Sequence, residues 1–327
     1  MATFKKTASD WRGTKGVRSR FPVMNGRYQS ASPPSPPPRP EDSWTVGRLL
    51  TWTTDYLKRN GSESPRLDAE VMLAHVLDWQ RVQLYTHFEE EVSQSSRTAF
   101  RELVRRRSEG APVAYLVGRK EFYSLTFAVS PAVLIPRPES EFVVVEYLEQ
   151  TRHLASPRAV DVGTGSGCLA IASAHRQPGA RFVAIDVSED ALAVARRNAA
   201  QIGVADRIDF RLGERLEPLA GESPFDAIIS NPPYIPSGAI QHLEPGVRDH
   251  EPRTALDGGP GGLDMVGQLI EESVGLLKPG GHLILEIGFD QEQAVRSLIA
   301  AQTRLRLAPT VFDHAQHPRV IRATRSE

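Results

Sequence analysis

Cysteine is almost missing from this chain of 327 residues: Cys168 stands alone. That excludes an internal disulfide framework and any zinc site built from several thiolates, and it suits a reducing, intracellular, cytoplasmic setting. The 9 histidines form no H-x-x-x-H or H-E-x-x-H spacing, so no metal centre is expected. No apolar run approaches the roughly 18 residues that a membrane helix needs. An excess of charge is also lacking. The 39 Lys and Arg against 40 Asp and Glu leave a net charge of −1, which argues against a protein that holds nucleic acid by charge alone. What is there, 40% hydrophobic and 24% charged residues, is the composition of a globular protein. The length suits two domains, or one large domain with an appendage.

The first 42 residues carry the proline run PPSPPPRP (Pro33 to Pro40) and almost no apolar periodicity. Such a segment buries too little surface to offset its ordering entropy, so a disordered tail is expected. Eight basic residues (Lys5, Lys6, Arg12, Lys15, Arg18, Arg20, Arg27, Arg39) face the single acid Asp10 up to Pro40. A start placed upstream of Met24, a transit peptide or a nucleic-acid-touching arm are the other readings. From Ser43 the pattern turns helical. Val46, Leu49, Leu50, Thr53 and Leu57 share a face until Asn60-Gly61, a second helix follows Pro65, and a third runs from Ser96 to about Glu109. Residues 43–115 therefore read as a helical bundle. Its outward Arg101, Arg105, Arg106 and Arg107 are either a solvated face or a docking face. The alternating stretch Glu121 to Pro136, broken at Ser130-Pro131, predicts a hairpin within a linker spanning 116–138.

Beyond that linker, residues 139–327 alternate strands and helices. Strands are expected at 159–162, 181–186, 208–213, 225–230, 282–288, 304–312 and 319–324. Helices are expected at 139–152, 167–176, 189–202, 263–277 and 290–302. This is an α/β pattern: a doubly wound, mostly parallel seven-stranded sheet. Its last two strands follow each other directly, so one should run antiparallel.

Four features carry chemistry. VDVGTGSG places Gly163, Thr164, Gly165, Ser166 and Gly167 between a strand and a helix. The spacing is G-x-G-x-G, with Cys168 where a dinucleotide fingerprint has its third glycine. A ligand without phosphate at this point suits the loop better, such as the amino-acid end of S-adenosylmethionine, with Asp161 in reach of its ammonium directly or through water. Asp186, at the tip of the next strand, is placed to accept two ribose hydroxyls; the bland reading is a cap on the following helix. The turn Gly213-Glu214-Arg215 ends the third strand, where an adenine would lie. Finally, FDAIIS runs into Asn231-Pro232-Pro233-Tyr234. Two prolines cannot continue a central strand, so the chain turns sharply at the carboxyl edge of the sheet. The chemistry that needs such a corner is methyl transfer to a planar nitrogen. The Asn231 carbonyl and the Pro232 carbonyl would accept the two N–H groups, and Tyr234 would wall the substrate. Cys168 reads as a packing residue, and Pro236 to Leu263 as a lid that His250-Glu251-Pro252-Arg253 could anchor. Arg137 and Glu139 are either ion-pair formers or part of the cofactor wall.

With these motifs in place, the chain resembles the release-factor glutamine methyltransferases from about Thr45 to Thr324. The matching segments are GRKEFYSLTFAVSPAVLIPRPESE (Gly118 to Glu141), DVGTGSG, AIDVSEDAL, SNPPYI, HEPRTALDGGPGGLD (His250 to Asp264) and LILEIG (Leu283 to Gly288). The tetrapeptide alone is shared with adenine-N6, cytosine-N4 and guanine-N2 methyltransferases. The resemblance implies a class I methyltransferase fold behind a helical domain that docks the substrate. It implies S-adenosylmethionine held by Gly163 to Gly167, Asp186, Glu214, Arg215 and Asn231, with no metal. It also implies that Asn231, Pro232, Pro233 and Tyr234 hold the glutamine of the Gly-Gly-Gln loop of peptide chain release factors, with Asn231, Pro232 and Tyr234 as the catalytic set. The expected enzyme is a monomer without nucleic-acid or membrane partners. Where the family has an aspartate and then an apolar or aromatic residue after the third strand, this chain has Glu214 and Arg215. A DNA or RNA amine methyltransferase and a non-catalytic cofactor-binding protein are the competing readings.

Overall fold

The structure is a computed structural model that describes residues 43–327; the expected Pro-rich tail, 1–42, lies outside the described residues. Five helices come first: α1 (Val46–Arg59), α2 (Pro65–Leu77), α3 (Arg81–Thr86), α4 (Gln94–Ser108) and α5 (Val113–Val117). Thr45 caps α1 by accepting the Arg48 amide, and Ser93 caps α4 by accepting that of Ser96. Their apolar faces meet in a core of Val46, Leu50, Leu57, Met72, Leu73, Leu84 and Phe100. The arginine run of α4 is partly taken up within the chain: Arg105 pairs with Glu102 and Glu109, and Arg107 with Asp68 at 2.8 Å. The short α3 and α5 give too few turns for a periodic signal.

A hairpin follows, β1 (Arg119–Phe122) against β2 (Leu125–Ala128). Its turn is Tyr123-Ser124, not the expected Ser130-Pro131. Both turn residues take positive φ, 50° and 61°, as a two-residue turn between twisted strands requires. Neither is a glycine or asparagine, so the sequence does not announce it. The Glu141 carboxylate accepts the Tyr123 amide at 2.8 Å and steadies the turn.

The remaining elements are α6 (Glu141–Thr151), β3 (Arg158–Val162), α7 (Cys168–Arg176), β4 (Arg181–Asp186), α8 (Glu189–Ile202), β5 (Ile208–Leu212), β6 (Phe225–Ser230), α9 (Pro245–Arg248), α10 (Asp264–Leu276), β7 (Leu277–Glu286), α11 (Glu292–Ala300), β8 (Leu305–Leu307), β9 (Val311–Phe312) and β10 (Pro318–Arg325). The sheet order is β5-β4-β3-β6-β7-β10-β8. Strands β3 to β7 pair in parallel, and β10 runs antiparallel to β7 and β8. The expected strand 304–312 is broken before Thr310 by Pro309, whose missing N–H cannot serve a ladder. Its second part, β9, pairs with β10 beside the seven-strand path.

Alternate residues of each strand reach opposite cores. Ala159 packs with Tyr147, Ile171 and Phe182 on one face; Val160 and Val162 pack with Ile185, Val266 and Leu269 on the other. The order of strands reverses between β3 and β6. Open α/β sheets bind ligands at the carboxyl edge of such a switch point. The loops after β3, β4, β5, β6 and β7 all leave the sheet at that edge.

Candidate active site

A cavity of about 730 Å³ opens at this edge, and its wall includes Gly163, Thr164, Gly165, Ser166, Asp186, Glu214, Arg215, Asn231 and Pro233. Gly167, Pro232 and Tyr234, also singled out in the sequence, are not among the residues that line the cavity. Gly167 holds φ +81°, and a Cβ there would sit 2.6 Å from the Ile171 side chain. It is the seat of α7, where only a hydrogen fits. In front of Gly163 and Gly165 the space is open: a Cβ on either would find its nearest neighbour at 4.0 Å.

The loop is stitched to its surroundings. The Gly163 and Thr164 amides both donate to the Ile185 carbonyl at 2.9 Å. Asn198 of α8 donates to the Ser166 carbonyl at 2.8 Å and also clasps Ala128 of the hairpin. Asp161 is fully buried. Its Oδ2 accepts the Thr164 hydroxyl at 2.7 Å and the Ala170 amide at 3.2 Å, while its Oδ1 is buried without a partner. Burial pushes this carboxyl up to about 7. A buried acceptor lacking a donor is costly; Asp161 itself is not among the residues that line the cavity.

Asp186 accepts the Gly165 amide at 2.8 Å through Oδ2 and the Ser188 amide at 3.0 Å through Oδ1. Burial raises its pKa against these bonds. Ser188, not Asp186, caps α8, by accepting the Ala191 amide at 3.2 Å. Each Asp186 oxygen accepts one bond and has capacity for another, and the residue lines the cavity, which fits two hydroxyl donors. Arg215 takes φ +50° and pairs with Glu214 and, at 2.8 Å, with Glu272 of α10. The residues present thus fit a cationic nucleoside with an amino-acid tail. Cys168 is on the cavity wall. Burial and the nearby Asp161 push its thiol up to about 12, so it stays protonated and inert at neutral pH.

At the other side of the cavity, Asn231 leaves β6 and donates its Nδ2 to the Ser140 hydroxyl at 3.0 Å. Ser140 in turn donates to Glu286 Oε2 at 2.6 Å. The Tyr234 hydroxyl lies 3.4 Å from Glu286 Oε1. Burial, and then Glu286, raise the phenol's pKa, so it remains a donor. Neither Ser140 nor Glu286 was singled out as a site residue. The available signal was one acid at the end of the otherwise apolar strand LILEIG.

The segment from Pro236 to Leu263 forms part of the cavity wall through Ser237, Pro252 to Ala255 and Asp257 to Gly259. Glu251 fastens it: buried, it accepts Arg137 at 2.5 Å and the Ile135 amide at 3.3 Å. Arg137 is therefore an ion-pair former and a cavity residue at once. Gln291 adds a second tie, donating to the carbonyls of Tyr234 at 2.9 Å and Gly262 at 3.1 Å.

Comparison with known proteins identifies the family. Residues 48–118 match the PrmC N-terminal domain and residues 140–243 the methyltransferase small domain. A release factor glutamine methyltransferase of Rhodopirellula baltica is 46% identical over 75% of this chain and 84% of that protein. One of Moorella thermoacetica is 45% identical over 86% and 99%. Among solved structures, the catalytic domain of hMettl16 in complex with the MAT2A 3′UTR hairpin 6 matches with a TM-score of 0.52 at 17% identity, over 69% of this chain and 82% of that one, which shows the fold alone. The chain belongs to the release factor glutamine methyltransferase family.

Proposed function

We propose that this protein methylates the side-chain amide nitrogen, N5, of the glutamine in the Gly-Gly-Gln loop of peptide chain release factors, with S-adenosylmethionine as donor, and acts as a cytoplasmic monomer in support of translation termination. One observation carries the reading. The glycine loop with Asp186, and the Asn231 corner, open on the same cavity across the switch point, in a chain related over most of its length to enzymes of that name.

Asp161, Gly163 to Gly167 and Asp186 would hold the donor's amino-acid and ribose ends, with Glu214 and Arg215 near its base. Bound there, it supplies an electrophilic methyl group. The protein's task is then orientation. A carboxamide nitrogen is a poor nucleophile because its lone pair is delocalised. Asn231 Oδ1 and the Pro232 carbonyl would each accept one of its N–H groups and turn its face toward the methyl. Tyr234, which is not among the residues lining the cavity, would tie the corner to the end of β7 through its hydroxyl, 3.4 Å from Glu286 Oε1. The helices α1 to α5 are assigned to docking the release factor, and the strap from Pro236 to Leu263 to excluding water.

The test is direct. The protein is incubated with a release factor and methyl-labelled S-adenosylmethionine, and the Gly-Gly-Gln peptide is sequenced by mass spectrometry. Label on that glutamine is expected. Label confined to an adenine-N6 or guanine-N2 of nucleic acid overturns the proposal.

A further inference from the structure

The geometry points to Glu286 and Ser140 as a two-step relay that fixes which end of the Asn231 amide faces the cavity; this rests on the proposal that Asn231 receives the substrate carboxamide. A primary amide is nearly symmetric in shape. Turned one way it offers the cavity an acceptor, turned the other way a donor. Only the acceptor suits an incoming NH₂ group, because two opposed donors repel. Something must therefore select the orientation.

Ser140 cannot do so alone, since a hydroxyl accepts or donates with equal ease. Glu286 removes that freedom. When ionised, that carboxylate only accepts, and at 2.6 Å it takes the Ser140 hydrogen. The serine oxygen is left with lone pairs, and at 3.0 Å these receive Asn231 Nδ2. Oδ1 is thereby turned away from the serine and has no hydrogen-bond donor among the described residues. The three residues come from the start of α6, the end of β7 and the end of β6, and they lie 146 and 91 positions apart along the chain. Ser140 and Glu286 are 3% and 1% exposed, so water does not compete for these bonds. The placement is specific in another way. Leu283, Ile284 and Leu285 pack into the two cores of the sheet, and an apolar residue at 286 would have continued that packing at lower cost. Ser140 and Glu286 are positioning residues: they act through Asn231.

The test is a double-mutant cycle read by steady-state methylation of a release factor. Ser140→Ala and Glu286→Met should each lower kcat about tenfold and leave cofactor affinity, measured by calorimetry, within twofold. Ser140→Thr keeps the hydroxyl and should restore kcat to within threefold of the parent. In an Asn231→Ala background, itself slowed by roughly 10²–10³-fold, neither substitution should cost more than a further twofold. A full tenfold loss in that background, or an unchanged kcat for Ser140→Ala, overturns the relay. A parent enzyme that fails to methylate any release factor faults the proposed function instead. The relay then stands or falls on side-chain amide exchange of ¹⁵N-labelled Asn231 in the full chain. Protection of its NH₂ in the parent and loss of protection in Ser140→Ala support it; equal exchange in both refutes it.

Discussion

Replacing Glu286 by glutamine should make the folded protein more stable at alkaline pH and leave it nearly unchanged in mild acid. The side chain lies at the end of β7, 1% exposed, and burial pushes its carboxyl from the ordinary 4.5 up to about 7. The groups that face it do not cancel that effect. The Ser140 and Tyr234 hydroxyls and Arg319 of β10 favour the charge, Glu139 opposes it, and Cys168 is a neutral thiol. The sign follows from linkage. Below the unfolded value both states are protonated and the carboxyl costs nothing. As pH rises through 4.5 toward 7 the unfolded chain ionises first, so stability is lost across that window and stays lost above it. At ~1.4 kcal/mol per tenfold in proton affinity, the full cost is about 3 kcal/mol, of which about 2–3 kcal/mol falls between pH 5 and pH 8. Glutamine has nearly the same shape and no such titration. Urea unfolding of both proteins at pH 5, 6, 7 and 8 reads the difference directly. Asp161, likewise near 7, is present in both chains and cancels. A gap between the two proteins that does not change with pH, or that grows in favour of the parent as pH rises, refutes the reasoning.

Three other substitutions probe the rest of the site. Asp186→Ala removes the acceptor of the Gly165 and Ser188 amides and should raise the half-saturating concentration of S-adenosylmethionine about 10–100-fold, the worth of hydrogen bonds to a charged group, with a much smaller change in kcat; initial-rate kinetics separate the two. Arg137→Ala strands the buried Glu251 carboxylate and should cost about 2–3 kcal/mol in urea unfolding, most of it recovered by adding Glu251→Gln; a double mutant no better than the single would contradict the pairing. Gly167→Ala places a methyl 2.6 Å from Ile171 and 3.2 Å from Ala195 at a φ of +81°, and should lower stability by about 1–3 kcal/mol; an unchanged melting midpoint would mean that α7 shifts freely.

The parts of the fold that were legible in the sequence are those specified by near neighbours. Helix α8 is expected at 189–202 and spans those residues, because Ser188 caps it, Glu189 and Asp190 suit its first turn, and Gly203 closes it in the left-handed conformation. The parallel strands read as short apolar runs for the same reason. The hairpin turn was misplaced because distant contacts set it. Tyr123 and Ser124 hold positive φ with help from Glu141, 18 residues on, whereas the dipeptide that advertises a turn, Ser130-Pro131, lies beyond β2. Strand β7 begins at Leu277, five residues ahead of the expected start. Lys278 to Gly281 look like a turn, yet they carry the strand over an irregularity in its pairing with β6.

The site divides along the same line. The glycine loop, Asp186 and the Asn-Pro-Pro-Tyr corner are local devices, each a few residues long, and composition and spacing expose them. What holds them is assembled from afar: Asn198 for the loop, Glu251 for the strap, Ser140 and Glu286 for the corner. Two of the sheet's acids nevertheless mark the chemistry. Asp161 in VDVG and Glu286 in LILE stand in apolar strands and are fully buried, and neither has a salt-bridge partner among the described residues. Each therefore costs the fold more than hydrogen bonds to hydroxyls and amides return. A chain that retains such acids on the two strands that flank β6, both at the edge where its ligands enter, gives up stability for placement. The expected gain in stability on neutralising Glu286, coupled to a loss of turnover on breaking its link to Asn231, is the signature of that exchange; an acid kept only for packing would show the first without the second.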